Sequence, residues 1–166
     1  MNVYCYHHDA KNVMGNVKGL IDRWRASFSK NGFSPVVLTE EDARQHPRFA
    51  ELDAIVSSFP ALTPVFDRAC WLRWLAYATR APGLFSDYDV INYSLTPDKV
   101  PVGDGLLVLS QPVCPSLFYA TTCGITQFLD AIPGAGSLGI TWGSCTGYVC
   151  DEILLTHLFP STHTVI

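Results

Sequence analysis

The spacing of apolar positions changes along this chain, and the changes mark its elements. Residues 2–6, NVYCY, are β-branched and aromatic and read as a strand. Beyond it Val17, Leu20, Ile21, Trp24 and Phe28 recur at helical spacing, which predicts a helix with one apolar stripe. Gly32, following Asn31, stops that helix. Residues 35–39, PVVLT, read as a second strand, and Thr39 with Asp42 behind it predicts a capped helix start. Pro47 interrupts this helix and the segment 49–58 resumes it. Pro60 and Pro64 break the chain again. Residues 65–79 then form the most apolar helix, crowded by Trp71, Trp74, Leu75 and Ala78, so burial on more than one face is expected. Pro82-Gly83 ends it, and LFSDYDVI over 84–91 reads as a strand.

The second half is less regular. Short strands are expected at 106–110 and 116–121, a short helix at 125–132, and a Gly-rich loop over 133–144. A last helix over 148–158 and a possible strand at 162–166 close the chain. The order strand, helix, strand, helix, helix, strand predicts an α/β sandwich with a mainly parallel sheet. In such sheets ligands bind beyond the carboxyl ends of strands. Two polar clusters fall at expected strand ends: His7-His8-Asp9 and Asp87-Tyr88-Asp89.

Composition narrows the class. At 166 residues the chain has the length of one domain, 1–166. It is 48% apolar and 16% charged, against about 25% charged in an ordinary domain, which excludes disorder. No apolar run approaches the ~18 residues of a transmembrane helix. Net charge is −4, without a Lys/Arg cluster, so charge gives no support to nucleic-acid or anionic-membrane binding. The six cysteines form no C-x-x-C pair, and the N-terminus lacks a signal-peptide shape. Reduced, mostly buried cysteines and a cytoplasmic location are therefore expected.

The sharpest chemical signal is Ser86-Asp87-Tyr88-Asp89-Val90. Two carboxylates two residues apart on an extended chain point the same way, and like charges so close want a cation. Hard oxygens suit Mg²⁺ or Mn²⁺, which can hold a diphosphate. A solvated pair of acids in a turn is the plain alternative. Arg73 is a lone cation in a helix of Trp and Leu, and burial demands a partner: Asp67 or an acid of the Asp87-Asp89 pair.

The segment FDRACWLRWLAYATRAPGLFSDYDVIN resembles the core of glycosyltransferases with a GT-A fold, and more closely the sugar-transferase families with a DXD motif. Leu72-Arg73-Trp74 stands at that family's l-R-y position, Pro82-Gly83 at its glycine turn, and Phe85 to Asp89 at its strand end. Cys70 stands where the family has Asp, and the turn is Pro-Gly rather than Gly-Gly. The resemblance implies a GT-A-like, Rossmann-like α/β/α sandwich. Its nucleotide-sugar half would span about 1–110 and its acceptor side about 111–166.

It further implies metal-dependent transfer of a sugar from a nucleotide-diphosphate sugar, foremost a UDP-sugar, to a hydroxyl acceptor of carbohydrate type. Asp87, Asp89 and His163 would hold Mn²⁺ or Mg²⁺. His7, His8, Asp9, Arg73, Asp87 and Tyr88 would bind the donor. Asp151, opening the last helix in a D-[EQ]-x-x-L element, would face the acceptor as a base, unless it is only an acid favoured by the helix dipole. The Gly-rich loop before it would form a mobile cover. Two other readings stay open. In a haloacid-dehalogenase-like phosphotransferase Asp87 would be the nucleophile, although two strands precede the motif here. The other is a non-catalytic nucleotide- or carbohydrate-binding module.

Overall fold

The computed structural model describes residues 1–8, 17–110 and 115–158. Its centre is a five-stranded sheet of β1 (Asn2–Tyr6), β2 (Ser34–Leu38), β3 (Gly83–Ser86), β4 (Leu106–Val108) and β5 (Leu117–Ala120), in the order β2-β1-β3-β5-β4. Pairings β1–β2 and β1–β3 are parallel, whereas β3–β5 and β4–β5 are antiparallel. The fold is α/β as expected, but the sheet is mixed rather than mainly parallel. The reason is local. Between β3 and β4 the chain forms only a 3-10 turn, Pro97–Lys99, and β4 and β5 lie too close in sequence for a parallel crossover, which takes about a dozen residues or more. β5 therefore runs against the other four strands.

Helices cover both faces. The alternation of β1 sends Val3 and Cys5 to one side, where α1 (Val17–Lys30) buries Trp24 and Phe28 against them. Tyr4 and Tyr6 point to the other side, into the larger core. That side carries α2 (Glu40–Arg44), α3 (Phe49–Ser57), α4 (Pro64–Ala78), α5 (Thr122–Ala131) and α6 (Asp151–Leu158). Asp42 closes the start of α2 by accepting from the Thr39 N–H at 2.9 Å and the Thr39 hydroxyl at 3.3 Å.

α4 is the central post. Every residue from Trp71 to Tyr77 is buried, which explains why its sequence shows no single apolar stripe. Trp74 stacks between Phe118 of β5 and Phe128 of α5, with ring centroids 4.4 and 4.1 Å away. The Tyr77 hydroxyl lies 2.6 Å from the Gly83 carbonyl oxygen and 2.8 Å from that of Ala120, and it accepts from the Ala120 N–H. It thus ties the helix to β3 and β5 together. Gly83 is required by packing: a Cβ there would sit 2.7 Å from the Tyr4 ring.

Two elements differ from expectation in ways that shape the site. The strand expected over 84–91 stops at Ser86, and the chain turns, with the Val90 N–H donating to the Asp87 carbonyl at 3.1 Å. The paired acids therefore sit in a turn past the strand, not on one face of an extended segment. The Gly-rich segment is not a loose cover. Residues Ile132–Leu138 form a 3-10 helix with Ile132 and Ala135 buried, and β6 (Ile140–Trp142) and β7 (Cys145–Tyr148) form a hairpin that turns at Gly143, φ +58°.

Among the described cysteines, Cys5, Cys70, Cys123, Cys145 and Cys150 are free; of these only Cys5 is buried and Cys123 is exposed. Among the described residues, no helix is long and apolar enough to cross a membrane. Asp9, His163 and the strand expected at 162–166 lie outside the described residues.

Candidate functional site

The carboxyl ends of β1 and β3 lie side by side, since these strands pair in parallel. A cavity of about 200 Å³ opens beyond them. Three segments form most of its wall, and Val17 of α1 adds to it. Tyr6, His7 and His8 come from the end of β1, and Asp87, Tyr88 and Asp89 from the turn after β3. The third wall is one stripe of α4, Phe66, Ala69, Cys70 and Arg73, spaced as successive turns of a helix. Phe66 is exposed at the outer end of that stripe, and Arg73 is buried at its inner end. The stripe runs about 10 Å at 1.5 Å per residue.

His7 and Tyr88 meet edge to face, with centroids 6.1 Å apart, so the two segments that follow β1 and β3 touch across the site. His8 Nδ1 lies 3.7 Å from Glu40 of α2, which Arg68 also binds. Two buried polar atoms of this wall, Tyr6 Oη and His8 Nδ1, have no hydrogen-bond partner among the described residues. Such atoms are uncommon in folded interiors.

Beneath the cavity Arg73 joins two acids that are far apart in sequence. Its Nη1 donates to Asp87 Oδ1 at 3.1 Å. Its Nε and Nη2 donate to Asp151 Oδ2 at 3.1 and 2.5 Å. The Trp74 indole N–H donates to the same oxygen at 2.7 Å. The Arg73 and Asp151 side chains are 11% and 2% exposed, so this ion pair is shielded from water, whereas Asp87, at 30%, faces the cavity. Burial alone would lower the Arg73 pKa. The charges of Asp151 and Asp87 outweigh that effect and hold the guanidinium protonated. Burial pushes the Asp87 carboxyl above its ordinary range, and Arg73 opposes the push. Burial and the nearby Asp151 charge also raise the Cys70 thiol, so it stands in the wall as a protonated group.

The structure thus brings His7, His8, Arg73, Asp87, Tyr88 and Asp89 to one cavity. Asp89 is the exposed member. Asp67 is not the partner of Arg73. It accepts instead from the Thr63 N–H at 2.8 Å, at the start of α4, and from the Tyr148 hydroxyl at 3.4 Å. Asp151, expected to face an acceptor, lies behind Arg73 and does not line the cavity. The physical reason is the demand of a buried guanidinium for a second counter-charge, which the first residue of α6 meets. The sequence reading missed Cys70 and Phe66 as wall residues. Their spacing of three, four and seven residues along α4 from Phe66 to Arg73 was the available signal, hidden because the opposite faces of α4 are apolar too.

A mixed sheet with helices on both faces and a cavity beyond parallel strand ends defines an α/β protein. Residues 1–101 match a family described as Domain of unknown function (DUF8765), and the chain belongs to that family. No curated protein and no solved structure matches the chain. Arg73, Asp87 and Asp89 fall inside the matched region, and Asp151 falls outside it.

Proposed function

We propose that this chain is a metal-dependent glycosyltransferase that moves a sugar from a nucleotide-diphosphate donor, foremost a UDP-sugar, to a hydroxyl acceptor of carbohydrate type. The observation that carries this reading is the meeting of Asp87 and Asp89 with His7, His8 and Arg73 around one cavity at parallel strand ends. Helices on both faces of the sheet suit the GT-A-like sandwich that the reading requires.

The acids fit a divalent ion. Mg²⁺ is held by one or two carboxylates together with substrate phosphates, and it needs no full cage of protein ligands. Asp87 and Asp89, two residues apart at the cavity, are the two carboxylates such an ion would use. Asp87, Asp89 and Asp151 against Arg73 leave a formal surplus of negative charge to receive a dication. When bound, Mn²⁺ or Mg²⁺ supplies positive charge to the diphosphate oxygens.

The chain's own residues bind and orient. Arg73 fixes one oxygen of Asp87. Asp89, exposed at the cavity, would hold the ion together with Asp87. His7, His8 and Tyr88 offer ring faces and N–H or O–H groups to the nucleoside, and the stripe from Ala69 to Phe66 offers an apolar floor. Catalysis in such a site is positioning and electrostatics.

Calorimetry of UDP against the chain, with Mn²⁺ and after chelation, tests the reading. Binding with Mn²⁺ is expected to weaken roughly tenfold or more on chelation and in Asp89→Ala. Equal affinity in all three conditions overturns it. Release of UDP from a panel of nucleotide sugars then identifies the donor.

A further inference from the structure

We infer that Asp151, acting through Arg73, is a positioning residue that sets the aim of Asp87 into the cavity. The inference rests on the proposed reading of Asp87 as a group that holds a divalent ion. Nothing in the sequence family assigns it, since Asp151 lies beyond the region the family covers.

Three observations carry it. First, the guanidinium is divided between its two acids. Nε and Nη2 converge on Asp151 Oδ2, and this leaves Nη1, on the opposite arm, directed to Asp87 Oδ1. A planar fork held on one edge has its other edge fixed in direction. Second, Asp151 is itself immobilised. It is 2% exposed, opens α6, and takes the Trp74 indole N–H on the same oxygen. Trp74 in turn is locked in its stack between Phe118 and Phe128. Third, Asp87 is the hinge of this chain to the site. Its backbone N–H is held by the Ser116 carbonyl at 2.8 Å, and its carboxylate lines the cavity. Its main chain is therefore anchored by the segment leading into β5, and its side chain by Arg73. A contact 64 residues further along the chain, at Asp151, determines which way Asp87 points.

Partners that orient a metal ligand from behind are worth about 10–100-fold in metal affinity. That magnitude is the expected readout. The probe is Mn²⁺ alone, with the free ion counted by electron paramagnetic resonance, on the full chain and on Asp151→Asn, Asp87→Asn and the double variant. The amide keeps the shape of the carboxylate and removes the charge that holds Arg73.

Asp151→Asn is expected to weaken Mn²⁺ binding about tenfold. In the Asp87→Asn background the same change is expected to do nothing, because the effect passes through Asp87. A merely structural role would instead weaken binding equally in both backgrounds, and that result overturns the inference. So does parental affinity in a folded Asp151→Asn. Should Asp151→Asn fail to fold, Trp74→Phe replaces it: this removes one donor from the same oxygen and keeps a ring in the stack. A loss of roughly threefold is expected there, the worth of one net hydrogen bond, and parental affinity overturns the inference. Absence of Mn²⁺ binding by the parent chain is a distinct outcome. It overturns the metal reading itself, and the positioning role with it.

Discussion

Arg73 concentrates the physics of this molecule in one side chain. A buried guanidinium is costly unless its donors are met, and here two acids meet it from different parts of the chain. Removing it leaves Asp151 buried with its charge uncompensated. Arg73→Met is therefore expected to lower the unfolding free energy by about 3 kcal/mol, within the range for breaking a buried pair. Urea unfolding followed by Trp fluorescence measures it, and parental stability would show that the pair carries no net weight. Arg73→Lys should not restore the parent, because a point charge cannot serve Asp151 and Asp87 with separate arms. The need for a partner was legible from one lone cation among tryptophans. Its identity was not. Asp67 and Asp87 were both within plausible reach in sequence, and Asp151 entered only through tertiary packing.

At the scale of elements, the helices and strands of the first half follow their signals closely. The stripe of α1 and the Thr39–Asp42 start of α2 reappear where the pattern put them, and Pro64, expected as a break before the helix, is the first residue of α4. Asp42 has a further consequence. Burial would raise its pKa, but the bonds from Arg80 and Thr39 win and hold it below the ordinary value. A carboxylate with a depressed folded pKa contributes stability above its unfolded pKa and loses it as the pH falls through the folded one. Stability from this cap is thus full at neutral pH and fades below about pH 4. Asp42→Ala is expected to cost about 1 kcal/mol at pH 7 and to match the parent more closely in acid. Thermal melts at pH 7 and pH 3 check both statements.

The end of β3 was less legible, for a definite reason. Val90 and Ile91 continue the β-branched pattern past Ser86, yet the pairing with β5 ends one bond later, at Asp87 with Ser116, and the chain turns with the Val90 N–H on the Asp87 carbonyl. Where the partner strand stops is set by a segment far along the sequence. The Gly-rich stretch misled in the opposite sense: its glycines suggested mobility, whereas the buried Ile132 and Ala135 fasten it to the core.

For the whole molecule, the matched region and the core do not coincide. Residues 1–101 hold β1, β2, β3 and the helices α1 to α4, but the rings that sandwich Trp74 come from Phe118 and Phe128. Losing both stacks leaves Trp74 without a ring on either face, and Tyr77 and Phe85 without Phe118. A fragment of residues 1–101 is accordingly expected to lack cooperative unfolding and the near-ultraviolet circular dichroism of ordered tryptophans. A sharp urea transition in that fragment would show that the rest of the chain is an addition to a self-sufficient core.

The place of β5 also orders events during synthesis. β4 is made before β5, yet among the described strands its only partner is β5, and the open side of β3 waits for the same strand. From the release of Ser86 until Leu117 to Ala120 emerge, the nascent chain carries an unpaired strand edge, the kind of surface that invites pairing with other chains. About thirty residues must pass at roughly 5–20 residues per second, so the interval lasts a few seconds. The growing polypeptide is most in need of a chaperone's shelter in that window, and a pause in translation placed just before residue 117 would lengthen it.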